Sequence, residues 1–248
     1  MSRTIRLTLA YDGGCFAGWQ VQTAHRTVQG VVEHALEELH GRHVGLVGAG
    51  RTDAGVHATG QVASFSTELT IPAHKLADAL NARLPRDARI LESREEAEGF
   101  DARRSARERT YRYYLYPVTV GLPHLRRFCW RVPRLPDTAR LNGIAAALIG
   151  EQDFATFTAT GGSETTTVRS VTRASFYPQG PFLVFEIAAN AFLRRMVRSV
   201  LGTVLGLAAA GAGPEGMREL IASRERSRAG ATAPARGLFL EKVSYGER

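Results

Sequence analysis

Cysteine is scarce in this 248-residue chain: Cys15 and Cys129 stand far apart, in no Cys-x-x-Cys pair. That excludes a disulfide framework and a zinc ribbon. The seven histidines are scattered. His34, His40 and His43 come nearest to a cluster, but no carboxylate or thiol completes a ligand set around them. Long apolar runs are missing too. The longest, Ser199 to Gly213, falls short of the roughly 20 residues a membrane helix needs and follows Arg194, Arg195 and Arg198. No basic start leads into an apolar segment of the secretory kind. The expectation is a cytoplasmic protein with no membrane association and no metal. Lysine is nearly absent, with two against 30 arginines. A ratio that extreme reflects genome composition and carries little functional weight.

Hydrophobic content of 44% and charged content of 23% are those of an ordinary globular chain. The net charge of +8 is unevenly spread. Residues 1–105 carry 12 Lys and Arg against 13 Asp and Glu, whereas residues 106–248 carry 20 against 11. A basic half beside a neutral half is a directional footprint for a polyanion.

Alternation over Arg3 to Leu9 predicts a strand. Val28, Val31, Val32, Ala35, Leu36 and Leu39 then recur at helical spacing behind a Thr27 cap. Strands are expected at Val44 to Val47, Gln61 to Phe65 and Ala88 to Leu91, with a helix from Pro72 carrying Leu76, Ala77, Leu80 and Leu84. This β-α-β-β-α-β order is the ferredoxin-like unit. The second half repeats the logic. It has a strand at Thr110 to Tyr116 and a helix capped by Asp137, then paired strands about the Pro178 to Pro181 turn. A long helix from Phe192 to Ala210, a shorter one after Pro214 and a strand from Leu238 to Tyr245 follow, with Arg224 to Arg236 as a mobile basic loop. The fold class expected is α+β: two ferredoxin-like halves, residues 1–105 and 106–248, sharing a mixed, mainly antiparallel sheet with a central cleft.

Three segments carry candidate chemistry. Gly50-Arg51-Thr52-Asp53-Ala54-Gly55-Val56-His57 puts an arginine and a carboxylate on a glycine-flanked loop, suited to a polyanion and a reaction centre. A turn in which Asp53 caps its own backbone is the competing reading. The loop joins strand to strand, which argues against a dinucleotide cradle. In Arg103 to Tyr114, arginines interleave with tyrosines, and alternation sets Arg107, Arg109, Tyr111 and Tyr113 on one face. Phosphate-binding and base-stacking groups would then lie together, each stacked base contributing about 1–3 kcal/mol. A charged edge strand with core-packed tyrosines is the alternative. In Asn190 to Arg198, Arg198 adjoins the apolar stripe of Phe192, Met196, Val200 and Leu201, and a buried arginine needs a carboxylate partner. Asp53 is a candidate for that partner, though sequence alone does not pair them. There is no Gly-x-Ser-x-Gly elbow, P-loop or His-Glu-x-x-His. Asp153 is the best alternative acid, with a helix-end or turn role expected.

These residues resemble the tRNA pseudouridine synthase A (TruA) family over nearly the whole chain. The resemblance runs through Tyr11-Asp12-Gly13, Phe16, Gly18-Trp19-Gln20, Thr27 to Gly30, Gly50 to His57 and Leu84-Pro85. It continues in Phe100, Ala102-Arg103, Arg109-Thr110-Tyr111, Phe192-Leu193, Met196-Val197-Arg198, and Ala233-Pro234 through Gly237-Leu238. Gly14 departs from the family's small hydroxyl residue, which touches only the loop's local hydrogen bonding. The resemblance implies Asp53 as catalytic nucleophile, Arg198 as its partner, Tyr111 stacked on the target base, and Arg51 reaching into the RNA. It implies isomerisation of uridine to pseudouridine at positions 38, 39 and 40 of the tRNA anticodon stem-loop, with no cofactor, by a homodimer that binds tRNA across both subunits. A nearby arginine favours the ionised form of a carboxylate, as such chemistry requires, and the base must first leave its stack. Attack on C1′, addition to the base and removal of a sugar proton all remain open.

Two other activities suit the same residues. A non-catalytic RNA-binding or RNA-chaperone module would have no reason to keep Asp53 facing a phosphate-rich cleft, and an N-glycosidase would release free uracil.

Overall fold

The computed structural model describes residues 2–159 and 165–246, and its class is mixed α+β, as expected. Two compact units emerge: Met1–Arg107 with Phe239–Arg248, and Glu108–Leu238.

In the first unit, β1 (Arg3–Tyr11) lies between β3 (His57–Thr67) and β4 (Ala88–Glu96), antiparallel to both. The terminal strand β10 (Leu238–Tyr245) returns to this unit and runs parallel to β3. Helix α1 (Val28–His40) begins where predicted, its Thr27 hydroxyl accepting the Gly30 N–H. Ile5, Leu7 and Leu9 of β1, Val32 and Leu36 of α1, and Leu76 and Leu80 of α2 (Leu76–Asn81) are buried. Each such side chain contributes about 1.5–3 kcal/mol on leaving water.

Two elements of this unit differ from the sequence reading. The strand expected at Val44 to Val47 shrinks to β2 (Val47–Gly48), although Val44 and Leu46 are buried. Side chains of α1 take the backbone groups that a strand partner would have bonded. Glu33 Oε1 accepts the Leu46 N–H at 3.0 Å, and Gln29 Nε2 donates to the Leu46 carbonyl at 3.1 Å. The helix after Pro72 opens instead as a 3-10 turn over Ala73–Lys75.

In the second unit, β5 (Ala106–Tyr116), β9 (Phe182–Ala189), β8 (Val168–Gln179) and β7 (Gly150–Asp153) follow one another in antiparallel pairs. The short β6 (Trp130–Arg131) pairs parallel to the end of β5. Helices α3 (Thr138–Ala146), α4 (Met196–Ala209) and α5 (Pro214–Ser223) pack against one another, and α3 also lies on β8. Asp137 caps α3 through the Ala139 and Arg140 N–H groups. Helix α4 starts four residues later than expected. The Leu193 carbonyl accepts the Met196 N–H in a turn, and Arg195 takes a left-handed conformation at φ 62°. The segment Arg224 to Arg236 was expected to be mobile, but it forms a 3-10 turn at Arg226–Arg228 and is bonded to α4.

Candidate active site

Within the first unit, the Gly50–Val56 loop joins β2 to β3 and is held by hydrogen bonds at both ends and about Asp53. The Gly50 carbonyl accepts from Gln61 Nε2 at 2.7 Å. The Thr52 hydroxyl bonds the buried Tyr11 hydroxyl at 2.8 Å, and the Thr52 carbonyl accepts the Trp19 N–H at 3.0 Å. Beyond Asp53, the Gly55 N–H donates to the Phe16 carbonyl, and the Val56 N–H turns back to the Asp53 carbonyl. The Asp12 to Gln20 segment thus clasps the Asp53 loop. Gly18 makes this contact possible: its φ is +104°, and a Cβ there would sit 2.7 Å from the Thr52 carbonyl oxygen. Asp53 is left half-buried and Arg51 exposed, on a backbone with little freedom.

Sequence reasoning assigned no role to Tyr11, Trp19, Gln61 or His57, all buried around this loop. His57 Nδ1 accepts the Gly13 N–H at 3.0 Å. Asp12 Oδ1 lies 3.2 Å from the same Nδ1 and also accepts the Gly14 N–H. The imidazole stacks on Phe239 of β10, with centroids 4.6 Å apart. Burial pushes the Tyr11 phenol well above its ordinary pKa, against smaller opposing effects of the Thr52 and Gln61 hydrogen bonds. Tyr11 is therefore a neutral strut.

In the second unit, Arg109, Tyr111 and Tyr113 share one face of β5 and are all buried. The Phe192 ring meets Tyr111 edge-on, with centroids 5.1 Å apart. The late start of α4 leaves Phe192 in an irregular turn from which it makes this contact. Arg109 is 8% exposed, and its Nη1 donates to the Asn190 carbonyl at 2.6 Å, so part of its guanidinium braces the β9 end. Arg107, at the start of β5, is exposed. Arg198 is the third residue of α4 and half-buried, with its Nε donating to the Ala233 carbonyl at 2.8 Å. Arg194 lies ahead of α4 and shares no helical face with Arg198. Burial raises the Tyr113 pKa, opposed by the nearby Arg198 and Arg236 charges.

Asp153 accepts from Thr167 Oγ1 and the Ala155 N–H and pairs with Arg224 at 3.0 Å. This is the turn role expected of it. Its hydrogen bond from Thr167 leads the effects that hold its pKa below the ordinary value. Among the described residues, no group of three or more His, Cys, Asp or Glu is arranged to hold a metal. No helix there is long and apolar enough to cross a membrane.

The pinned loop and the Arg198 helix both fall within a sequence match. The model of a family described as tRNA pseudouridine synthase matches residues 8–103 and 144–246, and so takes in Asp53 and Arg198. A relative from Moorella thermoacetica named tRNA pseudouridine synthase A is 45% identical over 243 residues, covering 97% of this chain and 99% of its own. Relatives of the same name from Treponema denticola and Thermoanaerobacter sp. (strain X514) are 40% and 37% identical, covering 99% and 98% of this chain and 94% and 100% of theirs.

The chain belongs to the tRNA pseudouridine synthase family.

Membership makes it an isomerase that acts on tRNA. The family match leaves out residues 104–143, and so Arg107, Arg109 and Tyr111, while the full-length relatives extend across that stretch. Tyr111 and Arg198 belong to one unit. A held carboxylate comes from the Asp53 loop in the other.

Proposed function

We propose that this chain isomerises uridine to pseudouridine at positions 38, 39 and 40 of the tRNA anticodon stem-loop, with Asp53 as the nucleophile. The observation that carries the reading is the Asp53 loop itself. Main-chain bonds on either side of Asp53 hold the backbone that carries its half-buried carboxylate, which a binding surface would not require. Residues 1–105 supply this carboxylate and Arg51, while residues 106–248 supply the base-holding strand and the basic helix.

In the proposed reaction, the target uridine leaves its stack and Tyr111, in edge-on contact with Phe192, packs against it. Arg51, Arg107 and Arg109 hold the RNA backbone, and Arg198 pairs with Asp53. The N1–C1′ bond breaks, the base turns while enclosed, and C5 bonds to C1′. C5 loses its proton and N1 gains one, so the change is a net isomerisation needing no oxidant, reductant or cofactor. The chain works as a cytoplasmic homodimer, with tRNA spanning both copies.

The test is a tRNA transcript tritiated at uridine C5, followed by mapping of the modified positions. The expected result is tritium release to water matching pseudouridine at 38, 39 and 40. Tight tRNA binding without release would favour a non-catalytic RNA-binding module. Free uracil would identify an N-glycosidase, and pseudouridine elsewhere would refute the assigned positions.

A further inference from the structure

The motif Ala233-Pro234 has no part in the reaction above, yet it is bonded to the helix that carries Arg198. Arg198 Nε donates to the Ala233 carbonyl at 2.8 Å, and the Ala233 N–H returns a bond to the Arg198 carbonyl at 3.0 Å. Further along α4, Thr203 Oγ1 accepts the Gly230 N–H at 2.9 Å while donating to the Ser199 carbonyl. The Pro234 carbonyl accepts the buried Tyr113 hydroxyl at 2.8 Å. Residues 230–234 are therefore tied down on both sides of Ala233.

The approach is closest at two glycines. A Cβ on Gly202 would overlap the Ala231 carbonyl oxygen, and one on Gly230 would sit 2.9 Å from Thr203 Cα. Glycine inside a helix costs about 1 kcal/mol relative to alanine. The close passage of residues 230–234 accounts for a glycine at this point of α4.

An unrestrained arginine side chain samples many rotamers, and ordering it costs up to about 2 kcal/mol. The guanidinium is planar, so a bond from Nε to a fixed carbonyl fixes one direction within the plane that both Nη groups share and limits where they can reach. We propose that residues 230–234 are a strap that positions the Arg198 guanidinium, with Gly202, Thr203 and Gly230 as positioning residues for the reaction. The proposal rests on the reading of Arg198 as the partner of Asp53.

Gly202→Ala and Thr203→Val test it, beside Arg198→Lys, which keeps the charge and loses Nε–H, and Arg198→Ala. Three quantities are measured for each: the single-turnover rate constant at saturating enzyme, the Kd for tRNA, and the thermal midpoint. The expected result is a rate constant at least tenfold lower for Gly202→Ala and at least threefold lower for Thr203→Val. Kd should stay within twofold of wild type, and Arg198→Lys should fall at least tenfold. A strap that only packs would lower the midpoint and leave the rate of folded enzyme unchanged. That outcome in Thr203→Val, which keeps the side chain's shape, overturns the proposal even if Gly202→Ala does not fold. Should Arg198→Lys lose the rate while the strap variants keep it, the strap alone is refuted. If Arg198→Lys and Arg198→Ala both keep it, the role of Arg198 fails and the strap with it.

Discussion

The Trp19 N–H donates to the Thr52 carbonyl at 3.0 Å, tying the residue before Asp53 to a segment anchored by a buried indole. Gly18 allows that contact through its positive φ and its missing side chain. Gly18→Ala should cost about 1–3 kcal/mol from backbone strain alone, and more from the clash with the Thr52 carbonyl. Urea denaturation checks the stability loss. Because the clash moves the Asp53 loop, single-turnover activity should fall at least tenfold even well below the unfolding midpoint.

Tyr11 braces the same loop from beneath. Tyr11→Phe leaves the Thr52 hydroxyl without its buried partner, at a cost of about 1–3 kcal/mol, readable by chemical denaturation. Burial raises the folded-state pKa of both Tyr11 and Tyr113 above the ordinary 10.0. The stability linked to these phenols is therefore full below pH 10 and declines as pH rises beyond it. Ultraviolet titration should show both still protonated above pH 10.0, and Tyr11→Phe should flatten the alkaline loss of stability.

Glu186 predicts the opposite limb. Burial alone would push its carboxyl up, but hydrogen bonds from Arg112 and Tyr177 and the charges of Arg112 and Arg173 outweigh it and hold the pKa below the ordinary 4.5. Stability from this group is present above pH 4.5 and is lost as pH falls through the lower folded value. Glu186→Gln should be less stable than wild type at pH 7 and should converge with it in acid. Denaturation midpoints across pH 2–7 check this.

Tyr111 is read as a stacking ring held in edge-on contact with Phe192. Tyr111→Phe keeps the ring and should retain most tRNA binding, whereas Tyr111→Ala should lose activity together with about 1–3 kcal/mol of base contact. Equal turnover by Tyr111→Ala and wild type would remove the stacking role.

Element types were largely legible in the sequence because periodicity and caps are local, as at Thr27, Asp137 and the strand Arg3 to Leu9. Features made by distant partners were not. Nothing near Val44 to Leu46 reveals that Glu33 and Gln29 will bond that backbone in place of a strand. The strand at Leu238 to Tyr245 was legible, but its pairing with β3 in the first unit was not, since pairing is a tertiary choice. The glycine motif was legible as a loop, whereas its anchors Tyr11, Trp19 and Gln61 read as strand or loop residues with no visible purpose. Arg224 to Arg236 looked mobile from its composition, and its bonds to α4 depend on glycines more than 20 residues apart.

The central claim is that Asp53 is the nucleophile, and Asp53→Asn tests it most directly. The substitution preserves the side chain's shape, removes its charge and exchanges one acceptor oxygen for an amide donor. With tRNA tritiated at uridine C5 and enzyme in excess, the variant should bind tRNA within a few-fold of wild type and release no tritium above background. Release at the wild-type rate would contradict the account.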